Sequence, residues 1–332
     1  MSEDYSQELA IIRPAAIDAG RLCEKIRQHP AFLALSKSDQ SPVTLADLAS
    51  QVILCRAIKS AFPSDPIVGE EDASLLAANL PLLEQVTEFV QTVHPDSQPS
   101  DILHWLDEGC GEVADRYWTL DPIDGTKGFI RGDQYAVAIA LIEQGAVKFG
   151  LMACPALPQN PQQPDSPKGV IFWASAGSGA WLCDLNTLTP QRLTVRQLTD
   201  VRAARLIESI ETTHSDRAEH RAVANALGIE LPPIQRDSLA KYGAIALGEA
   251  DLYLRIPLPQ YLGNYFENIW DHAAGAIVVE ESGGLITDLD GKPLDFSEGP
   301  KLLNNCGIIA SGSSIHSEVL SVIQLLQLGS VR

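Results

Sequence analysis

The stretch Trp118-Thr-Leu-Asp121-Pro-Ile-Asp124-Gly-Thr126-Lys-Gly-Phe129 decides how the rest of the chain is read. Trp118 to Leu120 have the character of a short strand, and Asp-Pro and Asp-Gly are among the strongest turn signals. A strand ending in such a turn presents two carboxylates close together, followed by a hydroxyl and a glycine. Hard cations such as Mg²⁺ take oxygen ligands, usually one or two carboxylates plus substrate phosphate. Gly125 lets backbone N–H groups approach an anion closely. Taken alone, the same residues also read as ordinary turn formers.

Upstream, Ile67-Val68 looks like a strand end feeding Gly69-Glu70-Glu71-Asp72, which is either a solvated charge run or a cation site. Further back, Ser41-Pro-Val-Thr44-Leu-Ala-Asp47 has capping-box spacing, and Val52, Ile53, Ala57 and Ile58 carry a helix on to Phe62-Pro63. An acid at the third helical position is a routine cap, so Asp47 on local grounds is a cap first. Leu9, Ile12, Ala16, Ala19, Leu22 and Ile26 fall at helical spacing and predict an opening amphipathic helix closed by His29-Pro30. A helical stretch follows within 73–93, and His94 to Ser100 reads as loop.

Downstream, the apolar runs 134–142 and 146–154 flank Gln144-Gly145 and predict a hairpin. Pro155 to Gly169 holds five prolines and predicts an exposed loop. That loop sets the expected division into an N-terminal α+β lobe, 1–155, and a C-terminal α/β lobe, 156–332. Runs 170–174 and 180–183 predict a second hairpin across Gly177-Ser-Gly179, a turn and not a phosphate cradle, because no helix follows it. The second half alternates strand and helix: 204–207, a helix over 218–227 stopped by Gly228, a helix capped by Ser238, and a strand over 252–256. After these come a helix beginning beside Asp271, strands 285–287 and 307–310, and a closing helix from Ser314. The whole predicts a layered α/β fold.

The chain has 332 residues, 45% of them hydrophobic and 20% charged, enough to bury a sizeable core. A formal net charge of −19 argues against nucleic-acid polymers and anionic membrane surfaces as partners. It suits a site that uses cations to hold an anionic substrate. The six cysteines are scattered without zinc spacing and read as reduced thiols. No apolar run reaches membrane-spanning length, and Met1-Ser-Glu-Asp lacks an apolar signal core, so a cytoplasmic protein is expected.

Three acidic motifs in one order carry a resemblance: Gly69-Glu70-Glu71, Asp121-Pro-Ile-Asp124-Gly-Thr126, and Trp270-Asp271-His-Ala-Ala-Gly with Gly283-Gly284. Together they resemble the lithium-sensitive, Mg²⁺-dependent phosphatase superfamily of inositol monophosphatase and fructose-1,6-bisphosphatase, from Asp47 to the final helix. Within it the closest resemblance is to 3′(2′),5′-bisphosphate nucleotidases. Ser41 to Asp47, Thr126 to Gly132, Glu211-Thr-Thr-His214-Ser, Asp237-Ser238-Leu-Ala-Lys241-Tyr and Ala250 to Arg255 carry the subgroup likeness. Two departures, Glu281-Ser282 where the family often has Ala before the glycines and the Pro/Gln-rich loop from Pro155 to Gly169, which looks like a lineage-specific insertion, leave the acidic ligands untouched.

The resemblance implies a layered α-β-α-β-α sugar-phosphatase-type fold. It implies that Glu70, Asp121, Asp124, Asp271 and the carbonyl of Ile123 coordinate two or three Mg²⁺ ions. Thr126, hydrogen-bonded to Asp47, would orient and help deprotonate the attacking water. Thr126, His214, Ser238, Lys241, Arg255 and Asp271 would contact the substrate, an adenosine bisphosphate. The implied activity is release of the 3′-phosphate from 3′-phosphoadenosine 5′-phosphate, extending to the phosphosulfate form and so to sulfur assimilation, with inhibition by Li⁺ and Na⁺. A monomer or homodimer is expected. The rival readings are an inositol mono- or polyphosphate phosphatase and a non-catalytic nucleotide sensor. His272 reads as structural, and Arg131 and Lys127 as residues that steer an anion.

Overall fold

Helix α1 (Ser6–Arg27) lies where the apolar spacing predicts it, and its inward residues Ile12, Ala16, Ala19, Leu22 and Ile26 are buried. In this computed structural model the described residues are 5–29, 34–36, 42–211, 215, 217–258, 260 and 266–329. Strands β1 (Ala34–Ser36) and β2 (Pro42–Thr44) pair antiparallel and lead into α2 (Leu45–Ala61). Next come β3 (Ile67–Gly69), α3 (Ser74–Ala77), α4 (Leu80–Gln91), α5 (Pro99–Asp107) and β4 (Arg116–Asp124). The predicted helical stretch is thus two helices, and α5 follows the loop after His94.

Strand β4 outruns its expected end. The Asp-Pro pair does not terminate it; the ladder to β5 (Ala136–Glu143) runs to Asp121↔Ala138, shifts register, and resumes at Asp124↔Ala136. Pro122 has no N–H to give the ladder, so the irregularity falls where pairing was weakest. Gly125, at φ 89°, then turns the chain into α6 (Thr126–Arg131).

Strands β6 (Ala146–Pro158), β7 (Lys168–Ser175), β8 (Gly179–Asp184) and β9 (Gln191–Arg192) continue the meander. The first sheet has the order β3-β4-β5-β6-β7-β8-β9, with β3 parallel to β4 and every later pair antiparallel. The line drawn at 155/156 therefore falls inside β6, and the proline-rich segment is the connection between two paired strands of one sheet. The expected turn at Gly177-Ser-Gly179 is present, its backbone N–H groups donating to the Glu281 carboxylate.

The second sheet is built from β10 (Leu206–Glu208), β11 (Ile234–Gln235), β12 (Leu252–Arg255), β13 (Gly284–Thr287) and β14 (Ile308–Gly312) in the order β11-β10-β12-β14-β13. Around it lie α7 (Arg217–Leu227), α8 (Ala240–Ala246), α9 (Ala273–Glu281) and α10 (His316–Leu325). Helices α1 and α2 pack on β4 and β6; α8 and α9 touch both sheets; α7 and α10 pack together, with α10 against β14. The layers are helix, sheet, helix, sheet, helix, as the resemblance implies. Three apolar clusters fill the spaces between them.

Candidate active site

The N-terminus of α2 meets the start of α6. Asp47 Oδ2 accepts from Thr44 N at 2.7 Å and from Thr44 Oγ1 at 2.6 Å, which is the predicted capping box. Asp47 Oδ1 accepts from Thr126 Oγ1 at 3.3 Å. Thr126 Oγ1 also lies 3.1 Å from the Ile123 carbonyl, so one hydroxyl proton has two acceptors. Asp47 is fully buried.

Three strand or turn ends bring the acids to the same place. Glu70 follows β3, Asp121 and Asp124 flank the irregular point of β4, and Asp271 ends a 3₁₀ turn (Ile269–Asp271) just before α9. Carboxylate oxygens of Asp121, Asp124 and Asp271 all lie within 4.8 Å of one another. Ile123 N donates to Asp121 Oδ1 at 3.0 Å, and Leu239 N donates to Asp124 Oδ2.

Burial raises the Asp121 carboxyl, and the charges of Glu70, Asp124 and Asp271 raise it further. Asp124 is raised by burial and then by Asp271, and Asp271 is raised chiefly by burial. Asp121, Asp124 and Asp271, packed this closely in a low-dielectric site, oppose one another's ionisation. A hard divalent cation removes that conflict, and an all-oxygen donor set is the kind it prefers. The residues present therefore fit a divalent metal.

Cationic groups come from the second sheet. Arg255 is the last residue of β12, and Lys241 lies in the first turn of α8. Lys241 is 5% exposed, donates from Nζ to the Ser238 carbonyl at 2.8 Å, and sits 5.3 Å from the centre of the Tyr253 ring. Burial lowers its ammonium pKa, against the pull of Asp124. Ser238 is not itself the cap residue of α8. It precedes Leu239, takes a left-handed φ of 72°, and accepts from Ala240 N at 3.2 Å.

A cleft of about 630 Å³ is lined by Glu70, Asp121, Ile123, Asp124, Thr126 and Asp271 together with Ser238, Lys241 and Arg255. That volume lies within the usual range for a small-molecule site. His214, also expected here, lies outside the described residues. Arg131 is engaged with Asp133, Glu211 and Asp237, and Lys127 Nζ is 3.4 Å from Glu211, which ties both to the rim of the cleft.

Residues 4–327 match the inositol monophosphatase family. The chain belongs to the inositol monophosphatase family. Among curated relatives in this family, a 3′(2′),5′-bisphosphate nucleotidase from Schizosaccharomyces pombe is 39% identical, over 96% of this chain and 95% of its own. One from Oryza sativa is 40% identical, over 96% of this chain and 94% of its own. Solved structures with the same fold include an IMPase from Thermotoga maritima, at TM-score 0.65 and 21% identity over 98% of both chains. CysQ from Bacteroides thetaiotaomicron, described as a bacterial member of the inositol monophosphatase family, has a TM-score of 0.57 at 20% identity. It covers 92% of this chain and 97% of its own.

Some residues that shape this inositol monophosphatase family site give little signal in the sequence. Glu267 holds Arg255 through two bonds, Nε to Oε1 at 2.7 Å and Nη2 to Oε2 at 2.6 Å. His272 Nε2 lies 3.4 Å from Glu267 Oε2, and its Nδ1 lies 2.7 Å from Tyr242 Oη. A carboxylate only accepts, so the Nε2–H faces Glu267 and Nδ1 faces the tyrosine hydroxyl. Burial alone would raise the Glu267 carboxyl, but Arg255 and His272 outweigh it and pull it down to about 2. On α2, Ser50 and Gln51 are fully buried polar residues whose only sequence signal is polarity in an apolar helix one turn past Asp47.

Proposed function

We propose that this chain is a Mg²⁺-dependent phosphatase that removes the 3′-phosphate of 3′-phosphoadenosine 5′-phosphate, giving AMP and inorganic phosphate. The observation that carries the reading is a single cleft lined both by the carboxylates of Glu70, Asp121, Asp124 and Asp271 and by the cations Lys241 and Arg255. A monophosphate ester held through cations needs only the acids. The two basic residues fit a second anionic group on the same substrate, the phosphate that is not cleaved. The names of the curated relatives support the same substrate.

In this reading Glu70, Asp121, Asp124, Asp271 and the Ile123 carbonyl hold two or three Mg²⁺ ions. Ions bound there supply Lewis-acid chemistry, activating water and neutralising charge on the leaving oxygen. Asp47 and Thr126 then work as a pair. Thr126 Oγ1 passes its proton toward Asp47 Oδ1 while accepting from, and so orienting, the attacking water. Asp47 Oδ2 is fixed by Thr44, so Oδ1 cannot swing away from the hydroxyl. Ser238, Lys241, Arg255 and His214 bind the nucleotide and its 5′-phosphate. The same contacts would accept the 5′-phosphosulfate form, which links the reaction to sulfur assimilation. Li⁺ and Na⁺ inhibit by taking a metal position. Among the described residues no helix is long and apolar enough to cross a membrane; a cytoplasmic location is part of this proposal.

The test is phosphate release with Mg²⁺ from 3′-phosphoadenosine 5′-phosphate, AMP and inositol 1-phosphate side by side, with and without Li⁺. Li⁺-sensitive turnover of the bisphosphate and none of AMP is expected. Preference for the inositol ester would transfer the chain to the inositol phosphatases and remove the roles given to Ser238, Lys241 and Arg255. Binding of the bisphosphate without turnover would make it a sensor.

A further inference from the structure

The ladder between β3 and β4 pairs Gly69 with Leu120 and ends there, so it sets where the two acid-bearing segments start and does not hold the residues beyond it. Glu70 lies just past β3, and Asp121 to Asp124 lie at the irregular end of β4, where ladder pairing is interrupted. Both are nevertheless tied to one helix, α2. Ser50 Oγ donates to the Pro122 carbonyl at 3.1 Å, inside the Asp121–Asp124 turn. Gln51 Nε2 donates to the Glu71 carbonyl at 2.5 Å, and Gln51 Oε1 accepts from Glu71 N at 3.0 Å. The amide therefore grips both backbone groups of the residue next to Glu70. On the other side of Glu70, Gly69 N donates to the Gly109 carbonyl at 2.7 Å.

The fit around Gln51 is close. A Cβ at position 69 would stand 3.0 Å from Gln51 Oε1, and one at position 109 would stand 2.6 Å from Nε2. The two glycines leave the space that the amide fills. Asp47, Ser50 and Gln51 are spaced i, i+3 and i+4, so they share one face of α2, and all three are fully buried. That face addresses Thr126, Pro122 and Glu71 in turn.

Resting on the metal reading above, we infer that Gln51, assisted by Ser50, is a positioning residue that sets the spacing between Glu70 and the Asp121–Asp124 turn for cation binding. A helix is stiff, so two loops tied to adjacent positions on it keep one separation whether or not a cation draws the carboxylates together. Without the ties, bound cations would have to order the loops, and affinity would fall. Partners that orient metal ligands commonly alter affinity by about 10–100-fold when removed.

The experiment is calorimetric titration of the intact protein with Mn²⁺, used as the probe cation, alongside thermal unfolding of each variant. Gln51→Met keeps length and apolar bulk and deletes both bonds to Glu71. Its Kd for Mn²⁺ should rise by about tenfold or more. Ser50→Ala, which adds no bulk, should raise Kd by less. Thr87→Val deletes a buried hydrogen bond to the Leu83 carbonyl in α4, away from the cleft, and should lower Tm while leaving Kd unchanged. An unchanged Kd in folded Gln51→Met, or an equal rise in Thr87→Val, overturns the inference. If Gln51→Met does not fold, Ser50→Ala decides: weaker Mn²⁺ binding upholds the inference and unaltered binding overturns it. Wild-type protein that binds no Mn²⁺ would sink the metal reading and this inference with it. Wild-type binding with unaltered variants sinks the inference alone.

Discussion

Asp47 divides its carboxylate between Thr44 and Thr126, with Oδ2 closing the cap of α2 and Oδ1 3.3 Å from the Thr126 hydroxyl. One residue thus completes a helix cap and reaches Thr126, which lines the cleft. Because Thr44 donates twice to Oδ2, the carboxylate cannot rotate without breaking the cap, and the cap holds Oδ1 toward the Thr126 hydroxyl.

Replacing either partner should separate the two roles. Asp47→Asn and Thr126→Ala should each lower kcat by about 10²–10⁴, the range for positioned acid–base groups. Asp47→Asn should also lose about 1 kcal/mol of stability through the weakened cap, whereas Thr126→Ala should not. Steady-state kinetics and thermal unfolding on both variants check this; near-normal kcat in both would discard the mechanism.

Lys241→Ala should raise KM for the bisphosphate nucleotide roughly 10- to 100-fold, the loss of one charge-assisted contact. It should change KM for a small phosphomonoester far less. Equal effects on the two substrates would take Lys241 out of nucleotide binding.

Glu267→Gln should act through Arg255. The substitution removes the charge that holds the guanidinium at 2.6 and 2.7 Å, leaving Arg255 free to shift within the cleft. A rise in nucleotide KM with kcat nearly unchanged is expected, smaller than the rise in Arg255→Ala. A fall in kcat at constant KM would place Glu267 in the chemistry instead.

Chelation should destabilise the fold. Buried Asp121 and half-buried Asp124 and Asp271 repel one another, and a cation that binds only the folded state adds about 2.7 kcal/mol at a hundredfold excess over Kd. Tm in excess Mg²⁺ should therefore exceed Tm in EDTA, and Asp121→Asn should shrink the gap. Identical Tm values would argue against cation binding at the cluster.

His316 gives the fold an acid-sensitive point outside the lining of the cleft. It is 3% exposed, with Ser311 Oγ at 2.8 Å from Nδ1 and Thr287 Oγ1 at 3.0 Å from Nε2, and burial lowers its pKa below the usual 6.5. The unfolded chain binds a proton here more readily than the folded one. Stability from this residue is thus full above the unfolded value and lost as pH falls through about 6.5 toward the folded value. His316→Gln should flatten the dependence of Tm on pH between neutrality and mild acid. An unaltered slope would assign the acid sensitivity elsewhere.

Much of the site was written in local sequence. Glu70, Asp121, Asp124 and Asp271 stand in short motifs because each must sit where a strand or turn ends, and such ends carry Gly, Pro and Asp signals. The helix of Asp47 was legible from its capping box, and the layered fold from the alternation of periods. Strand β4 was legible only in part. Asp-Pro predicts an end, yet pairing with β5 on one side and with β3 as far as Leu120 on the other carries the strand through Pro122 as an irregularity.

The amino-acid sequence by itself determined which chemistry the chain can carry: four acids, a threonine, a lysine and an arginine in a fixed order, on elements whose ends it also specified. Tertiary structure alone decided which of these meet. Asp47 and Thr126 are 79 positions apart, and Gln51 and Glu71 are 20 apart. The bonds joining them depend on how α2 crosses the first sheet. That crossing is set by packing of apolar faces over the whole layer, which no local pattern encodes. Residues such as Gln51, Ser50 and Glu267, whose work is done through another residue, therefore become visible only once the layers are assembled.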